Sequence, residues 1–193
     1  MSAHRARSLV VSSLAALLPG LLAAGACSEP GGHQAPESDP SKPDSRQWLD
    51  IKARIRRTFP RVEEIRTEDL ARLLSQQAET GHASGASRLI LLDARPEQEF
   101  AVSHIRGARR FEESLLSQLP KDGEIVVYCS VGYRSAKLAQ RLTSRGFTRV
   151  RNLEGSLFEW ANEGRPVYSA TGPVHKVHPY DAKWGRLLDP SYR

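Results

Sequence analysis

Ile125-Val126-Val127-Tyr128-Cys129-Ser130-Val131-Gly132-Tyr133-Arg134-Ser135 is the stretch whose reading decides the fold. The apolar run before Cys129 reads as a strand buried on both faces, as in a parallel sheet. Beyond the loop, Ala136, Leu138, Ala139 and Leu142 recur at helical spacing. Gly146 stands where a left-handed residue would end that helix, and Phe147 is placed to pack back on it. A strand feeding a helix through a short loop is the building unit of an α/β domain.

The flanking sequence repeats this alternation. Leu89-Ile90-Leu91-Leu92 is a second continuous apolar run, and it ends in Asp93. Val62 to Ile65 and Val150 to Leu153 read as shorter strands. Thr67 is placed as an N-cap before Glu68 and Asp69, and Leu70, Leu73, Leu74 and Ala78 follow at helical spacing. Residues 81–87 read as a loop. Leu157, Phe158 and Ala161 mark a last helix, stopped by Gly164 and Pro166. The pattern predicts an α/β domain over residues 61–168, with a mostly parallel central sheet flanked by helices. Trp48, Ile51 and Ile55 lie on one face of a short lead-in helix expected over residues 48–60. Residues 169–193 form a tail of little periodicity, with Tyr180, Trp184 and Leu187 available to dock it on the domain.

Ligands of open α/β sheets bind beyond the carboxyl ends of strands, and Cys129 stands at such an end. The loop from Ser130 to Ser135 can turn backbone N–H groups towards an anion, and the next helix adds the positive end of its dipole. Gly132 tolerates a positive φ, and Arg134 brings a fixed positive charge. Each feature favours the thiolate, which is the nucleophilic form. The competing reading is a buried cysteine of the core. The expected site is therefore Cys129 as nucleophile, with Ser130, Val131, Gly132, Tyr133, Arg134 and Ser135 holding the substrate. Asp93 and Arg95 are expected to form an ion pair that buttresses the loop. Glu99 and His104 are expected to fix turns, and Trp160 to sit in the core. His175 and His178 have a spacing seen in metal sites, but in an irregular tail they read as surface residues, and no metal is expected.

The first residues read as an address. His4, Arg5 and Arg7 precede an apolar run from Ser8 to Leu22, which is interrupted by Pro19 and Gly20 and followed by Ala23, Ala24, Gly25 and Ala26. That order is the order of a secretory signal peptide over residues 1–26. The junction resembles a bacterial lipoprotein leader, which implies that Cys27 is lipidated and holds the protein in the periplasm or cell envelope. Ordinary cleavage with secretion is the alternative. Residues 27–47, rich in proline and serine and poor in apolar side chains, read as a flexible tether. The formal net charge of +6 loses the leader's arginines on cleavage, leaving about +4. With no run of Lys or Arg and no nucleic-acid motif, this excludes a nucleic-acid binder and suggests a mild preference for anionic substrates. The chain has two cysteines. Processing at Cys27 would leave Cys129 unpaired, as a candidate reactive thiol.

Taken together these motifs resemble the rhodanese family. Cys129 to Ser135 matches its cysteine-x-x-glycine-x-arginine-serine loop. Asp93-Ala94-Arg95 with Glu99-Phe100, and His104-Ile105-Arg106-Gly107-Ala108, match its upstream signatures. Leu153-Glu154-Gly155-Ser156-Leu157, Trp160 and Gly164-Arg165-Pro166-Val167 resemble its closing segment. The resemblance implies a three-layer fold and a sulfurtransferase without metal or organic cofactor. It would move sulfane sulfur from a small anionic donor such as thiosulfate to a thiol or cyanide, through a persulfide on Cys129. Many members that use thiosulfate carry a basic residue after the cysteine, where this chain has Ser130. Two other readings stand beside it. One is a non-catalytic rhodanese-like module that binds a partner or senses redox state. The other is a cysteine phosphatase, disfavoured because only four residues separate Cys129 from Arg134.

Overall fold

The computed structural model describes residues 45–80 and 89–193. The expected leader over 1–26, most of the expected tether over 27–47 and the expected loop over 81–87 lie outside the described residues. The chain runs α1 (Ser45–Thr58), β1 (Glu63–Ile65), α2 (Thr67–Thr80), β2 (Ile90–Asp93), α3 (Glu97–Val102), β3 (Arg109–Arg110), β4 (Glu124–Tyr128), α4 (Tyr133–Ser144), β5 (Arg149–Leu153), α5 (Ser156–Asn162), β6 (Val167–Ser169) and β7 (Gly172–Val174). Short 3₁₀ turns lie at Glu113–Ser117, Trp184–Leu187 and Pro190–Tyr192.

The first five strands form one parallel sheet in the order β1-β5-β4-β2-β3. Its central strands are apolar on both faces because both faces are covered. Along β4, Ile125 and Val127 face a cluster built from α4 residues such as Leu138 and Leu142, together with Phe147. Val126 and Tyr128 face the opposite cluster, which holds Leu70 of α2 and Leu157, Phe158 and Trp160 of α5. Leu91 and Leu92 of β2 divide in the same way. The result is the expected three-layer α/β fold with a parallel central sheet. Gly146, at φ +85°, ends α4 as expected, and the Phe147 N–H returns to the Leu142 carbonyl at 3.2 Å.

Three elements depart from the sequence reading. α1 starts at Ser45, inside the expected tether, and docks on the domain: Ile55, only 3% exposed, packs with Phe59 and Ala136. The tail docks through Leu187 as expected, but it is also joined to the domain by strand pairing. β6 and β7 pair antiparallel across the expected boundary at residue 168, and Val177, Leu187 and Leu188 are fully buried in the α2/α5 cluster. Thr67 opens α2, but its hydroxyl donates to Glu163 Oε2 at 2.6 Å, tying α2 to the end of α5.

The Asp93–Arg95 ion pair forms, with both side chains fully buried. Arg95 donates through Nε and Nη2 to the Asp93 carboxylate at 2.7–3.0 Å, and through Nη2 to the Ser103 carbonyl at 2.5 Å. Burial by itself would lower the Arg95 pKa, but Asp93 outweighs it and keeps the guanidinium charged. The pair ties the end of β2 to the turn after α3, behind Tyr128, whose ring lies 5.8 Å from the guanidinium. Removing one member of such a pair strands a charge in the interior, whereas removing both need not. Asp93→Ala is expected to cost about 3–5 kcal/mol, and Asp93→Leu combined with Arg95→Met to recover most of that loss. Urea unfolding followed by tryptophan fluorescence measures both; equal losses would assign the cost to packing instead of to the stranded charge.

Candidate active site

Cys129 follows the last residue of β4 and lies at the carboxyl edge of the sheet, 1% exposed. The loop turns sharply at Gly132, where φ is +105°. A Cβ there would stand 3.3 Å from Ile55 Cδ1 of α1, so both backbone conformation and space select glycine. This turn brings the Gly132 N–H back onto the Cys129 Sγ at 3.2 Å. The amides of Ser130, Val131 and Tyr133 have no protein acceptor among the described residues.

The first turn of α5 fixes the loop from the side. The Cys129 N–H donates to Ser156 Oγ at 3.1 Å, and that hydroxyl donates to the Leu153 carbonyl at 3.0 Å. The carbonyls of Cys129 and Ser130 accept from the Leu157 and Phe158 N–H groups at 3.1 and 3.0 Å. Ser156 holds a left-handed φ of +53° to do this, a conformation of order 1–3 kcal/mol above the usual basins. Behind the sulfur, the fully buried Ser135 donates to Asn152 Oδ1 at 2.6 Å, its oxygen lying 3.5 Å from Sγ.

Beneath the loop lies Glu99, whose side chain is 3% exposed. Its carboxylate accepts from Arg134 Nη1 and Nη2 at 2.7 and 2.8 Å and from Ser130 Oγ at 3.1 Å. Arg134 Nη2 also donates to Ser130 Oγ at 2.9 Å. Burial would raise the Glu99 carboxyl, but the hydrogen bonds and charge of Arg134, with help from Ser130, outweigh it and hold it below the usual range. Arg134 is shifted the other way and stays charged, despite a burial that opposes it.

Cys129 opens into a cleft of about 380 Å³. One wall is the loop itself, with Ser130, Val131, Tyr133 and Arg134. The other walls come from α1, through Asp50, Ile51 and Arg54, and from the tail, through Tyr180 and Trp184. Tyr180 lies over the Arg134 guanidinium at 4.9 Å, and Phe59 meets the Tyr133 ring edge-on at 5.2 Å.

Of the residues singled out from the sequence, the structure brings Cys129, Ser130, Val131, Tyr133 and Arg134 to the cleft, and keeps Gly132 and Ser135 behind it. Asp93 and Arg95 support the strand before the loop. Glu99, expected to fix a turn, instead clamps the loop. His104 does fix a turn, with Nδ1 at 3.1 Å from the Phe100 carbonyl and its ring stacked on Phe100. His175 stacks on Tyr192, and His178 Nδ1 accepts the Tyr180 N–H at 3.0 Å. Ser156, Asn152 and the cleft residues of α1 and the tail were not singled out for the site. They are brought there by the packing of distant segments, which local spacing does not encode.

A buried cysteine on the strand-to-helix loop of a parallel sheet, with an amide turned onto its sulfur and a clamped arginine beside it, defines a cysteine-centred α/β domain. Comparison with known proteins names the family. Residues 70–163 match the Rhodanese-like domain. A sulfurtransferase of Allochromatium vinosum is 31% identical over 115 residues, covering 58% of this chain and 99% of that protein. The uncharacterized protein YqhL of Bacillus subtilis is 31% identical over 96 residues, 48% of this chain and 76% of that protein. A rhodanese-related protein of Thermoplasma volcanium, known from its crystal structure, is 25% identical, with a TM-score of 0.42 over 54% of this chain and 96% of that one. Some larger curated relatives are matched over 22% of their length. The chain belongs to the rhodanese-like domain family, and α1 and the tail lie outside the matched residues.

The clamp has a pH signature. Because folding lowers the Glu99 pKa, the pair stabilises the protein at neutral pH, and that contribution fades as pH falls through the folded value, below the ordinary ~4.3. Glu99→Gln should therefore lower stability at pH 7, with the gap to wild type closing below about pH 4. Urea midpoints of both proteins across this range test it; a gap independent of pH would remove the carboxylate's charge from the explanation.

Proposed function

We propose that the protein is an exported sulfurtransferase working through a Cys129 persulfide. The observation that carries this reading is that Cys129 lines a cleft of about 380 Å³ while its sulfur accepts the Gly132 N–H at 3.2 Å. With a donor such as thiosulfate, the Cys129 thiolate attacks the sulfane sulfur. An S–S bond forms to Sγ, the donor's S–S bond breaks, and sulfite leaves with the electron pair. The resulting persulfide is anionic. The amides of Ser130, Val131 and Tyr133, free of protein acceptors among the described residues, are available to stabilise it, as an oxyanion hole stabilises oxygen. A thiol or cyanide then takes the sulfur and returns the thiolate. The sulfurtransferase of Allochromatium vinosum, aligned over nearly its whole length, supports the assignment.

Cys129→Ser should abolish transfer and leave the fold unchanged, because a hydroxyl cannot carry a persulfide and Cys129 is the one free cysteine among the described residues. Turnover with cyanide, and a mass gain of one sulfur on the wild-type chain after treatment with donor, measure this. Substantial turnover by the serine variant would remove Cys129 from the mechanism.

The export part of the reading rests on the apolar run from Ser8 to Leu22 and the small residues before Cys27. On this reading Cys27 is the first residue of the mature protein, carries lipid and tethers the domain at a membrane surface. Intact mass of membrane-extracted protein should show a chain that begins at Cys27 and bears acyl groups. An unmodified Cys27 on a freely soluble protein would leave secretion alone.

A further inference from the structure

The two walls that enclose the cleft opposite the loop come from α1 and the tail, both outside residues 70–163. Their chemistry does not suit a small dianion. Glu99 neutralises Arg134. The remaining charges in the lining, Asp50 and Arg54, are opposite in sign. The cleft therefore carries no surplus of positive charge, and no cation follows Cys129 in the loop. Its volume of about 380 Å³ would be largely unfilled by an inorganic sulfur anion. Much of the surface is apolar, with Ile51, Val131, Tyr180 and Trp184 lining the cleft beside Cys129.

Asp50 and Arg54 are four residues apart on α1, so they share a face with Cβ atoms about 5–6 Å apart. They form no ion pair with one another, and neither has a charged partner among the described residues. A free carboxylate and a free guanidinium, side by side at the rim of an apolar cleft, complement an ammonium and a carboxylate carried close together on one small molecule. The tail is held in place over the same cleft. Tyr180 adopts a left-handed φ of +66° and lies on the Arg134 guanidinium, while Leu187 behind it is fully buried.

Building on the sulfur-transfer reading above, we propose that α1 and the tail form an acceptor subsite for a low-molecular-weight zwitterionic thiol, cysteine or a short peptide that begins with it. Arg54 binds the carboxylate, Asp50 binds the ammonium, and the stem runs along Ile51 beneath Trp184 to Cys129. The acceptor thiolate attacks the outer sulfur of the Cys129 persulfide. The new S–S bond forms on the acceptor, the bond to Sγ breaks, and its electron pair restores the Cys129 thiolate. The transferred sulfur carries its negative charge to the acceptor, whose persulfide anion leaves the cleft, and no outside oxidant or reductant is needed.

The test uses the full chain, with Cys129 loaded from inorganic polysulfide. Unloading rates are compared for L-cysteine, cysteinylglycine, cysteamine, 3-mercaptopropionate and 2-mercaptoethanol, each referred to thiolate concentration because thiol acidities differ. L-Cysteine or cysteinylglycine should outpace each thiol that lacks one or both charges by about fivefold, the scale of an exposed ion pair. Arg54→Gln should erase the advantage over cysteamine, and Asp50→Asn the advantage over 3-mercaptopropionate. A merely structural role would move all five rates together and leave these ratios intact. Normal loading with no preference for the zwitterions, or a preference that survives both substitutions, overturns the subsite alone. Failure of Cys129 to take up sulfur overturns the sulfur-transfer reading and the subsite with it.

Discussion

A carboxylate buried under a cysteine loop must be paired, and the pairing of Glu99 with Arg134 and Ser130 is the constraint on which the site depends. Each partner lies on a different part of the loop. Ser130 follows the cysteine, and Arg134 opens α4. One carboxylate therefore holds both ends of a turn whose middle, Gly132, bends back to the sulfur. Ser156 supplies the second anchor from α5, and Ser135 with Asn152 closes the space behind Sγ. The loop is held from three directions, so its unpartnered amides can face a ligand without collapsing onto neighbouring carbonyls.

This clamp also changes the electrostatics of the cleft. An arginine beside a reactive cysteine invites a simple account in which its charge attracts an anion. With Glu99 bound to both of its terminal nitrogens, Arg134 is part of the scaffold first. What favours negative charge on sulfur is local and short-ranged: the Gly132 amide, the start of α4 and the edge of the Arg134 guanidinium, which interacts with Cys129 as well as with Glu99. That arrangement stabilises charge where it develops, at the sulfur, without filling the cleft with a positive field.

The walls of the cleft separate scaffold from specificity. The sheet, α2, α4 and α5 carry the loop and fall largely within residues 70–163. α1 and the tail fall outside that span, yet each is fastened by buried apolar side chains, Ile55 on one side and Val177, Leu187 and Leu188 on the other. Access to Cys129 is shaped by segments outside that span, which also touch the loop through Ile55, Phe59 and Tyr180.

The α/β alternation, the parallel sheet and the cysteine loop were legible in the sequence because each rests on local rules. Continuous apolar runs, helical spacing after the loop, and a glycine at the turn are properties of neighbouring residues. The Asp93–Arg95 pair was legible for the same reason, being two positions apart. The clamp on Arg134 was not, since it joins Glu99 to a residue 35 positions away and needs the parallel pairing of β2 with β4 to bring them together. That α1 and the tail dock was legible from Ile51, Ile55 and Leu187, but where they dock was hidden. An amphipathic helix and a few scattered aromatic residues state that a surface must be covered, not which one. Only the packed fold, where burial of Ile55 and Leu187 chooses the surface, decides that these segments enclose the cysteine.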